Sequence, residues 1–195
     1  MSAVRSIFSS LLALACALGT PGVGADPASD VITTGGVVLL MRHATAPCSG
    51  DPEHLKPDDC ATQRNLFADG RAEAKRIGAH LKKLGLKPGE VLTSQWCRCR
   101  ETASIAFGGG RDWPALNSFL RQREGEERQK REILTRIAMV KPDDKPLVLV
   151  THQLIVAAIT GVFPQSGAVV VVAPLRAGGK PGVGVIGSIK PESAI

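Results

Sequence analysis

An apolar run that ends in an arginine and a histidine places the strongest constraint on what this chain can fold into. The run covers residues 37–41 and is followed directly by Arg42 and His43. It does not alternate between apolar and polar residues, which is typical of a strand buried on both faces in a parallel sheet covered by helices. Ligands of open α/β sheets bind beyond the carboxyl ends of such strands. The sequence therefore predicts an anion site at the end of this strand.

Two further segments repeat the arrangement of a short apolar run followed by polar side chains. Residues 91–93 precede Ser94 and Arg98, and residues 147–150 lead to His152. Each segment alone has an ordinary explanation, such as a residue at a helix start that is hydrogen-bonded to backbone. All three together, each after a strand-like run, favour one shared site.

In this combination the chain resembles the histidine phosphatase superfamily, also called the phosphoglycerate mutase-like family. The first family motif, Arg-His-Gly, is matched by Arg42-His43-Ala44, and the third, a histidine that closes a later strand, by His152. The second motif, Ser-Pro-x-x-Arg-x-x-x-Thr-Ala, is matched by residues 94–103, with Gln95 in place of the proline. The two departures, an alanine and a glutamine, remove no functional group. The resemblance covers about residues 36–190.

The resemblance implies both a fold and an activity. The expected fold is a three-layer α/β sandwich, in which helices flank a central, mostly parallel sheet. The expected activity is hydrolysis of phosphomonoesters through a phosphohistidine intermediate on His43. Arg42 and Arg98 would bind the phosphate, His152 would complete the catalytic pocket, and Thr45 is a further expected phosphate ligand.

The chemistry of these side chains agrees with the resemblance. A neutral imidazole nitrogen can attack phosphorus, which splits hydrolysis into two displacements through a covalent intermediate. A guanidinium group binds two phosphate oxygens at once, and its charge neutralises the charge on the transferring phosphoryl group. The sequence carries no Asp-rich metal motif and no Gly-x4-Gly-Lys-Ser/Thr loop, so no metal, no other cofactor and no kinase or motor activity is expected.

The general acid that would protonate the leaving oxygen has no clear match. Many family members carry a carboxylate between the second and third motifs, but residues 117–127 do not fit the usual acidic motif. Glu124 is one candidate, and Asp59, in the loop after the first strand, is another. For both, a solvated surface carboxylate is the alternative. Substrates with good leaving groups need little help from an acid, so this gap bears on the substrate class.

Two other functions stay open at this point. A phosphomutase would use the same pocket while protecting the phosphoryl group from water. A non-catalytic exported module would bind anions, or a metal through four cysteines, although Cys-x-Cys lacks the two-residue spacer usual in zinc sites. Envelope sugar phosphates are a substrate hypothesis taken from the expected compartment, since the chain also resembles lipopolysaccharide heptose phosphate phosphatases.

The first 25 residues have the pattern of an export signal. Arg5 is followed by an apolar stretch at 7–18 and by the small residues 23–25, which form a cleavage site before Asp26. The apolar stretch is too short to span a bilayer, which takes about 20 residues. We therefore expect a mature single domain of residues 26–195, exported to the periplasm or beyond, without stable membrane insertion.

Lipid anchoring at Cys16 is the alternative to this processing. Ala13 stands where a lipoprotein signal usually has leucine, so cleavage before Asp26 is favoured. The formal net charge of +6 favours encounter with phosphorylated substrates. With no tyrosine, two tryptophans and no recognisable nucleic-acid motif, the chain is not expected to bind nucleic acid.

The remaining patterns concern cysteines and secondary structure. An even set of cysteines in an exported chain indicates disulfides, and Cys60 is expected to pair with Cys97 or Cys99, which would fix Arg98 against the nucleophile loop. Asp69 is expected to cap a helix that ends at about Leu84. Further helices are predicted at about 98–107, 121–140 and 152–161, and a strand hairpin at 169–173 and 183–189.

Overall fold

A computed structural model describes residues 27–48, 50–120, 123–175 and 180–191. Its strands are β1 (Val38–Arg42), β2 (Glu90–Thr93), β3 (Arg111–Asp112), β4 (Leu147–Thr151), β5 (Val169–Leu175) and β6 (Gly182–Ile189). Its helices are α1 (Pro27–Val31), α2 (Ala68–Lys83), α3 (Cys97–Phe107), α4 (Glu126–Ala138) and α5 (Gln153–Thr160). The expected signal and its cleavage site lie outside the described residues.

The six strands form one sheet in the order β3-β2-β4-β1-β5-β6. Strands β3, β2, β4 and β1 are parallel to one another. Strands β5 and β6 add an antiparallel pair at one margin. Helices cover both faces, so the predicted three-layer α/β sandwich with a mostly parallel central sheet is confirmed, as is the pair of strands at its margin.

The unbroken apolar run of β1 is explained by burial from both sides. Val38 and Leu40 pack into the core cluster that includes residues of α4 and α5. Leu39 and Met41 point to the opposite face and pack with residues of α1, α2 and α3. All four side chains are fully buried, and each such side chain stabilises the fold by about 1.5–3 kcal/mol. Strand β1 is therefore fixed in the centre of the sheet, and Arg42 and His43 are fixed at its end.

Two helix starts differ from the sequence expectation. Phe67, not Asp69, is the residue before α2, and no side chain caps that helix. Asp69 lies in the first turn, where its charge still favours the positive end of the helix dipole. Helix α4 begins at Glu126, after a 3₁₀ turn over Arg123–Gly125, because glycine is a poor helix former; the first two residues of the predicted helix, 121 and 122, lie outside the described residues.

No helix in the described part of the chain is both long and apolar enough to cross a membrane.

Helices α2 and α3 approach each other closely at Gly78. A Cβ atom at this position would lie 2.6 Å from backbone atoms of Ala106 in α3. Real Cβ contacts are not this short, so a larger side chain must push the two helices apart. Helix α3 carries Arg98 near its start, so this contact also sets where that arginine lies relative to the sheet.

We predict that Gly78→Ala lowers the free energy of unfolding by about 1–3 kcal/mol, which is the usual cost of overpacking a tight contact. Urea denaturation followed by circular dichroism measures the change. Lys75→Ala, an exposed position on the same helix, is the matched control and should change stability by no more than about 0.5 kcal/mol. Equal unfolding midpoints for wild type and Gly78→Ala would show that the helices do not meet as described.

Candidate active site

The strand order brings three motif residues to one place. Strand β4 lies between β2 and β1, and His43, Ser94 and His152 directly follow β1, β2 and β4. The backbone N–H of His43 donates to the carbonyl of Thr151 (2.9 Å). Helices α3 and α5 begin just after two of these strand ends, so their positive dipole ends add to the attraction for an anion.

His43 is buried and held in one tautomer. Its Nδ1 lies 2.7 Å from the carbonyl oxygen of Ala44. A carbonyl can only accept a hydrogen bond, so Nδ1 carries the proton and Nε2 carries a lone pair. That lone pair accepts a hydrogen bond from Nε of Arg98 (3.1 Å). The ring is therefore in the form that can attack phosphorus through Nε2.

His152 takes the opposite tautomer. Its Nδ1 accepts a hydrogen bond from Nη2 of Arg98 (3.3 Å), so its Nε2 carries the proton. That proton is donated to the hydroxyl oxygen of Ser94 (2.9 Å), whose own proton is donated to Oδ1 of Asn117 (3.0 Å). This chain of hydrogen bonds fixes the second imidazole beside the first, with the ring centroids 5.4 Å apart.

Arg98 connects the whole site. Its guanidinium group is 2% exposed and bonds to both imidazoles and to the carboxylate of Asp51, with Nη1 and Oδ1 2.7 Å apart. The Asp51 side chain is itself 4% exposed. One turn along α3, the hydroxyl of Thr102 donates to the carbonyl of Arg98 (2.7 Å) and accepts from the N–H of Ala44 (3.1 Å). The second motif therefore holds both the arginine and the nucleophile loop.

Burial and nearby positive charge keep both imidazoles neutral. Burial, followed by the charge of Arg98, lowers the pKa of His43 well below its usual value. The same two causes, with a further contribution from His43, lower the pKa of His152. A protonated imidazole has no ring lone pair, so this environment keeps the Nε2 lone pair of His43 available.

Two further arginines contribute to the site. Nη1 of Arg42 donates to the carbonyl of Pro164 (3.0 Å), and Nη1 of Arg64 contacts the carbonyls of Ala46, Pro47 and Cys48. The Nε atoms of Arg42 and Arg64 are buried without a hydrogen-bond partner among the described residues. Leaving a buried donor unsatisfied is unfavourable, and the oxygens of a bound anion would satisfy such donors.

Together these side chains line a cavity of about 260 Å³. Three guanidinium groups face one carboxylate there, and both imidazoles are held neutral. The resulting excess of positive charge suits a phosphate anion. Arg64 and Asp51 were not expected from the sequence; both lie in a long loop outside the three motifs, and no spacing signal points to them.

The structure does not bring all expected site residues into this cavity. The backbone N–H and hydroxyl of Thr45 both donate to the carboxylate of Glu73 (2.6 and 2.8 Å), and Thr45 is not part of the cavity wall. Asp59 is exposed and caps the 3₁₀ turn Cys60–Thr62. Glu124 is exposed and lines a second, larger cavity of about 700 Å³.

The second cavity adjoins the first. Asp51 and Ser118 belong to the walls of both. The larger cavity is also lined by Trp96, Phe119 and Asn117, which provide two aromatic surfaces and an amide. A phosphoryl group in the small cavity would therefore have its leaving group in the large one.

The two departures from the family motifs have physical explanations. The backbone N–H of Gln95 donates to Oδ1 of Asn117 (2.9 Å), and Nδ2 of Asn117 donates to Oε1 of Gln95 (2.8 Å). A proline at this position has no N–H to donate. Ala44 replaces a glycine, and its φ angle is not positive, so a Cβ atom is tolerated there.

A disulfide joins Cys60 to Cys97, which confirms the expected link from the loop to the helix that carries Arg98. It occupies two of the four thiols that a four-cysteine zinc site would need, so that alternative is wrong. Cys48 and Cys99 are free. Burial raises the pKa of Cys99 to about 12, so its thiol stays protonated.

Comparisons with known proteins agree on the fold. No protein-family model matches the sequence, and the comparison with curated proteins gave no match. Among solved structures, the protein histidine phosphatase SixA in complex with tungstate has a TM-score of 0.55 at 15% identity, covering 82% of this chain and 99% of that chain. SixA from Agrobacterium tumefaciens has a TM-score of 0.53 at 20% identity, covering 80% and 99%. The mycobacterial glucosyl-3-phosphoglycerate phosphatase has a TM-score of 0.55 at 13% identity, covering 76% and 96%.

The strand ends of this parallel sheet carry two buried histidines and an arginine that bonds to both, and these are residues of the three sequence motifs. The chain has the fold of the histidine phosphatase superfamily, as its three motifs predict.

The two neutral imidazoles make the stability of the fold depend on pH. In the unfolded chain a histidine has a pKa of about 6.5, whereas His43 and His152 have lower values in the folded protein. As the pH falls below about 6.5, the unfolded chain binds protons that the folded protein does not. The free energy of unfolding therefore falls, by up to about 1.4 kcal/mol per pH unit for each histidine, while the full contribution is present above that pH.

We predict that the double variant His43→Asn, His152→Asn has a shallower pH dependence of stability than wild type. The measurement is urea denaturation between about pH 7.5 and 5.5, the window in which the unfolded histidines titrate. His54→Asn is the control, because His54 is exposed and outside the cavity. Parallel curves for wild type and the double variant would mean that the two rings are not held neutral by the fold.

Proposed function

We propose that the protein is a phosphatase that hydrolyses phosphomonoesters through a phosphohistidine intermediate on His43. The observation that carries this proposal is the tautomer of His43, whose Nδ1 is fixed by the Ala44 carbonyl and whose Nε2 lone pair faces the guanidinium of Arg98. A neutral nucleophile beside an excess of positive charge is suited to attack on a phosphate dianion.

The proposed reaction begins when the phosphoryl group enters the small cavity. Its oxygens take over the Nε donor of Arg98 and the buried Nε donors of Arg42 and Arg64, which releases the lone pair of His43 for in-line attack. The three guanidinium groups then neutralise charge on the equatorial oxygens during transfer. Because they supply the positive charge that metal ions supply in other phosphatases, we propose that hydrolysis needs no metal.

The larger cavity is the proposed site of the leaving group. Its aromatic walls at Trp96 and Phe119 and the amide of Asn117 suit a group with both apolar and hydroxyl surfaces, such as a sugar. The names of SixA and of the mycobacterial enzyme indicate different substrates: a protein histidine phosphatase and a glucosyl-3-phosphoglycerate phosphatase. The shared fold therefore supports a phosphorylated substrate rather than one particular ester. We propose a phosphorylated small molecule, with envelope sugar phosphates as the first class to test.

The main test combines turnover with trapping of the intermediate. We predict that the mature protein hydrolyses p-nitrophenyl phosphate equally well with and without chelator, and that His43→Ala abolishes turnover. Arg98→Ala should reduce the rate by at least about 10²-fold, as loss of one donor to a developing charge does elsewhere. His80→Ala, in α2 and outside the cavity, is the control. Labelled phosphate should be found on His43 under alkaline conditions, since phosphohistidine is labile in acid.

The same experiment separates the alternatives. Full activity of His43→Ala would end the phosphatase proposal. A labelled His43 that passes its phosphoryl group to a second substrate, without release of inorganic phosphate, would indicate a phosphomutase. Binding of inorganic phosphate without turnover of any ester would indicate a non-catalytic anion-binding module.

We also propose that the protein is exported, on the sequence pattern of residues 1–25. We predict that N-terminal sequencing of the protein recovered from the periplasm begins at Asp26, and that Ala25→Leu slows this processing because the cleavage site needs small residues. Cys16→Ala should leave processing unchanged. Lipid attached at Cys16, or protein retained with its first residues intact, would contradict the proposal.

A further inference from the structure

The junction between the two cavities is where the leaving oxygen must lie. The bond that breaks joins phosphorus, in the small cavity, to an oxygen of the group in the large cavity. Of the described residues, Asp51 and Ser118 line both cavities. Asp51 is therefore the carboxyl group that the fold places at the breaking bond.

We propose that Asp51 is the general acid that protonates the leaving oxygen and the general base that then activates water. This inference rests on the proposed phosphatase function and supplies the acid that the motifs do not reveal. Glu124 is exposed and lines only the large cavity, and Asp59 caps a turn outside both cavities.

The loop that carries Asp51 is anchored on both sides of it. Before it, Nη1 of Arg64 holds three consecutive carbonyls, those of residues 46–48. The chain then turns through Gly50, whose φ of 76° suits a glycine. After it, the disulfide between Cys60 and Cys97 ties the loop to the residue before Arg98. The carboxyl group is thus presented to the cavity between two anchored points of the chain, and a proton donor must be positioned in this way.

The ion pair with Arg98 explains how Asp51 can change its protonation state during the reaction. While the site is empty, the guanidinium is paired with the Asp51 carboxylate (2.7 Å), and a carboxylate has no proton to donate. A bound phosphoryl group attracts the same guanidinium and places negative charge beside the carboxylate, and both effects favour the protonated form. A phosphomonoester monoanion, whose second pKa is about 6, brings the proton with it and passes it to Asp51 on binding.

The two displacements then balance. In the first, Nε2 of His43 forms a bond to phosphorus, the bond from phosphorus to the leaving oxygen breaks, and that oxygen takes the proton of Asp51 to become an alcohol. In the second, the Asp51 carboxylate takes a proton from water as the water oxygen bonds to phosphorus. The bond between Nε2 and phosphorus breaks, and the lone pair returns to His43. Asp51, now protonated, passes its proton to the departing phosphate and again becomes the carboxylate that pairs with Arg98.

The test compares an ester that needs an acid with one that does not. Glycerol phosphate has a poor leaving group and p-nitrophenyl phosphate a good one. We predict that Asp51→Asn reduces kcat for glycerol phosphate by about 10²–10⁴-fold, which is the usual contribution of general acid catalysis. The first displacement with p-nitrophenyl phosphate needs no acid, so its rate should fall much less. The burst of p-nitrophenol measures that rate. Asp51→Glu, which keeps a carboxyl group, should recover part of the glycerol phosphate rate. Asp58→Asn, an exposed carboxylate of the same loop, is the matched control and should leave both rates unchanged.

Other results would overturn the assignment. Equal losses with both esters would make Asp51 a residue that only positions Arg98. Unchanged rates with stronger inhibition by inorganic phosphate would make it a counter-ion that phosphate displaces. Selective loss in Glu124→Gln instead would make Glu124 the acid. If Asp51→Asn does not fold, the wild-type protein can be assayed with a series of esters instead. A steep fall in its rate as the pKa of the leaving group rises would show that no general acid acts. A wild type that hydrolyses neither ester would instead refute the proposed function itself, before any variant is made.

Discussion

The buried guanidinium group of Arg98 is the interaction on which the rest of the site depends. A cation with 2% exposure is unfavourable unless it is paired, and here it bonds to two imidazoles and a carboxylate. These bonds orient both rings and select their tautomers, and the positive charge contributes to the low pKa of each ring. One side chain thus sets the orientation of both imidazoles, the positions of their protons and their neutral charge. The disulfide beside it and the bond from Thr102 to its carbonyl hold this side chain in place.

Much of the fold and the centre of the site could be predicted from the sequence because they depend on strand ends. The unbroken apolar run of β1 indicates burial on both faces, and burial on both faces requires a sheet between two helix layers. Once β4 lies beside β1, the residues after both strands must be neighbours, so His43 and His152 meet whatever the loops do. Arg98 follows from the same rule, because it is the second residue of α3, the helix after β2. The start of α2 was harder to predict. Aspartate is a favoured residue at the N-cap of a helix, which pointed to Asp69, but the N-cap position is occupied by Phe67.

The residues that the sequence did not reveal lie in the long segment between β1 and α2. Loop residues have no periodicity, so their spacing gives no information on which side chains turn inward. Arg64 and Asp51 enter the cavity only because the loop folds back over the strand ends, where Arg64 binds carbonyls of its own loop. The disulfide could be predicted to reach the start of α3 but not to choose between Cys97 and Cys99. The choice depends on helix orientation: Cys99 points into the core, next to His152, while Cys97 lies toward the loop.

The pairing of Asp51 with Arg98 also links substrate binding to chemistry. In the empty site the carboxylate offsets one of three guanidinium charges, which limits the repulsion among the three arginines that line the cavity. A bound phosphoryl group offsets the guanidinium charges better than the carboxylate does, because it carries more charge and more acceptor oxygens. In the proposed mechanism Asp51 is then protonated. Binding energy is thereby used to create an acid only when there is a leaving group to protonate. A motif search cannot detect such an acid. Its role requires that the carboxyl group lie beside the breaking bond in space, and loops from different parts of the sequence can bring a carboxyl group there.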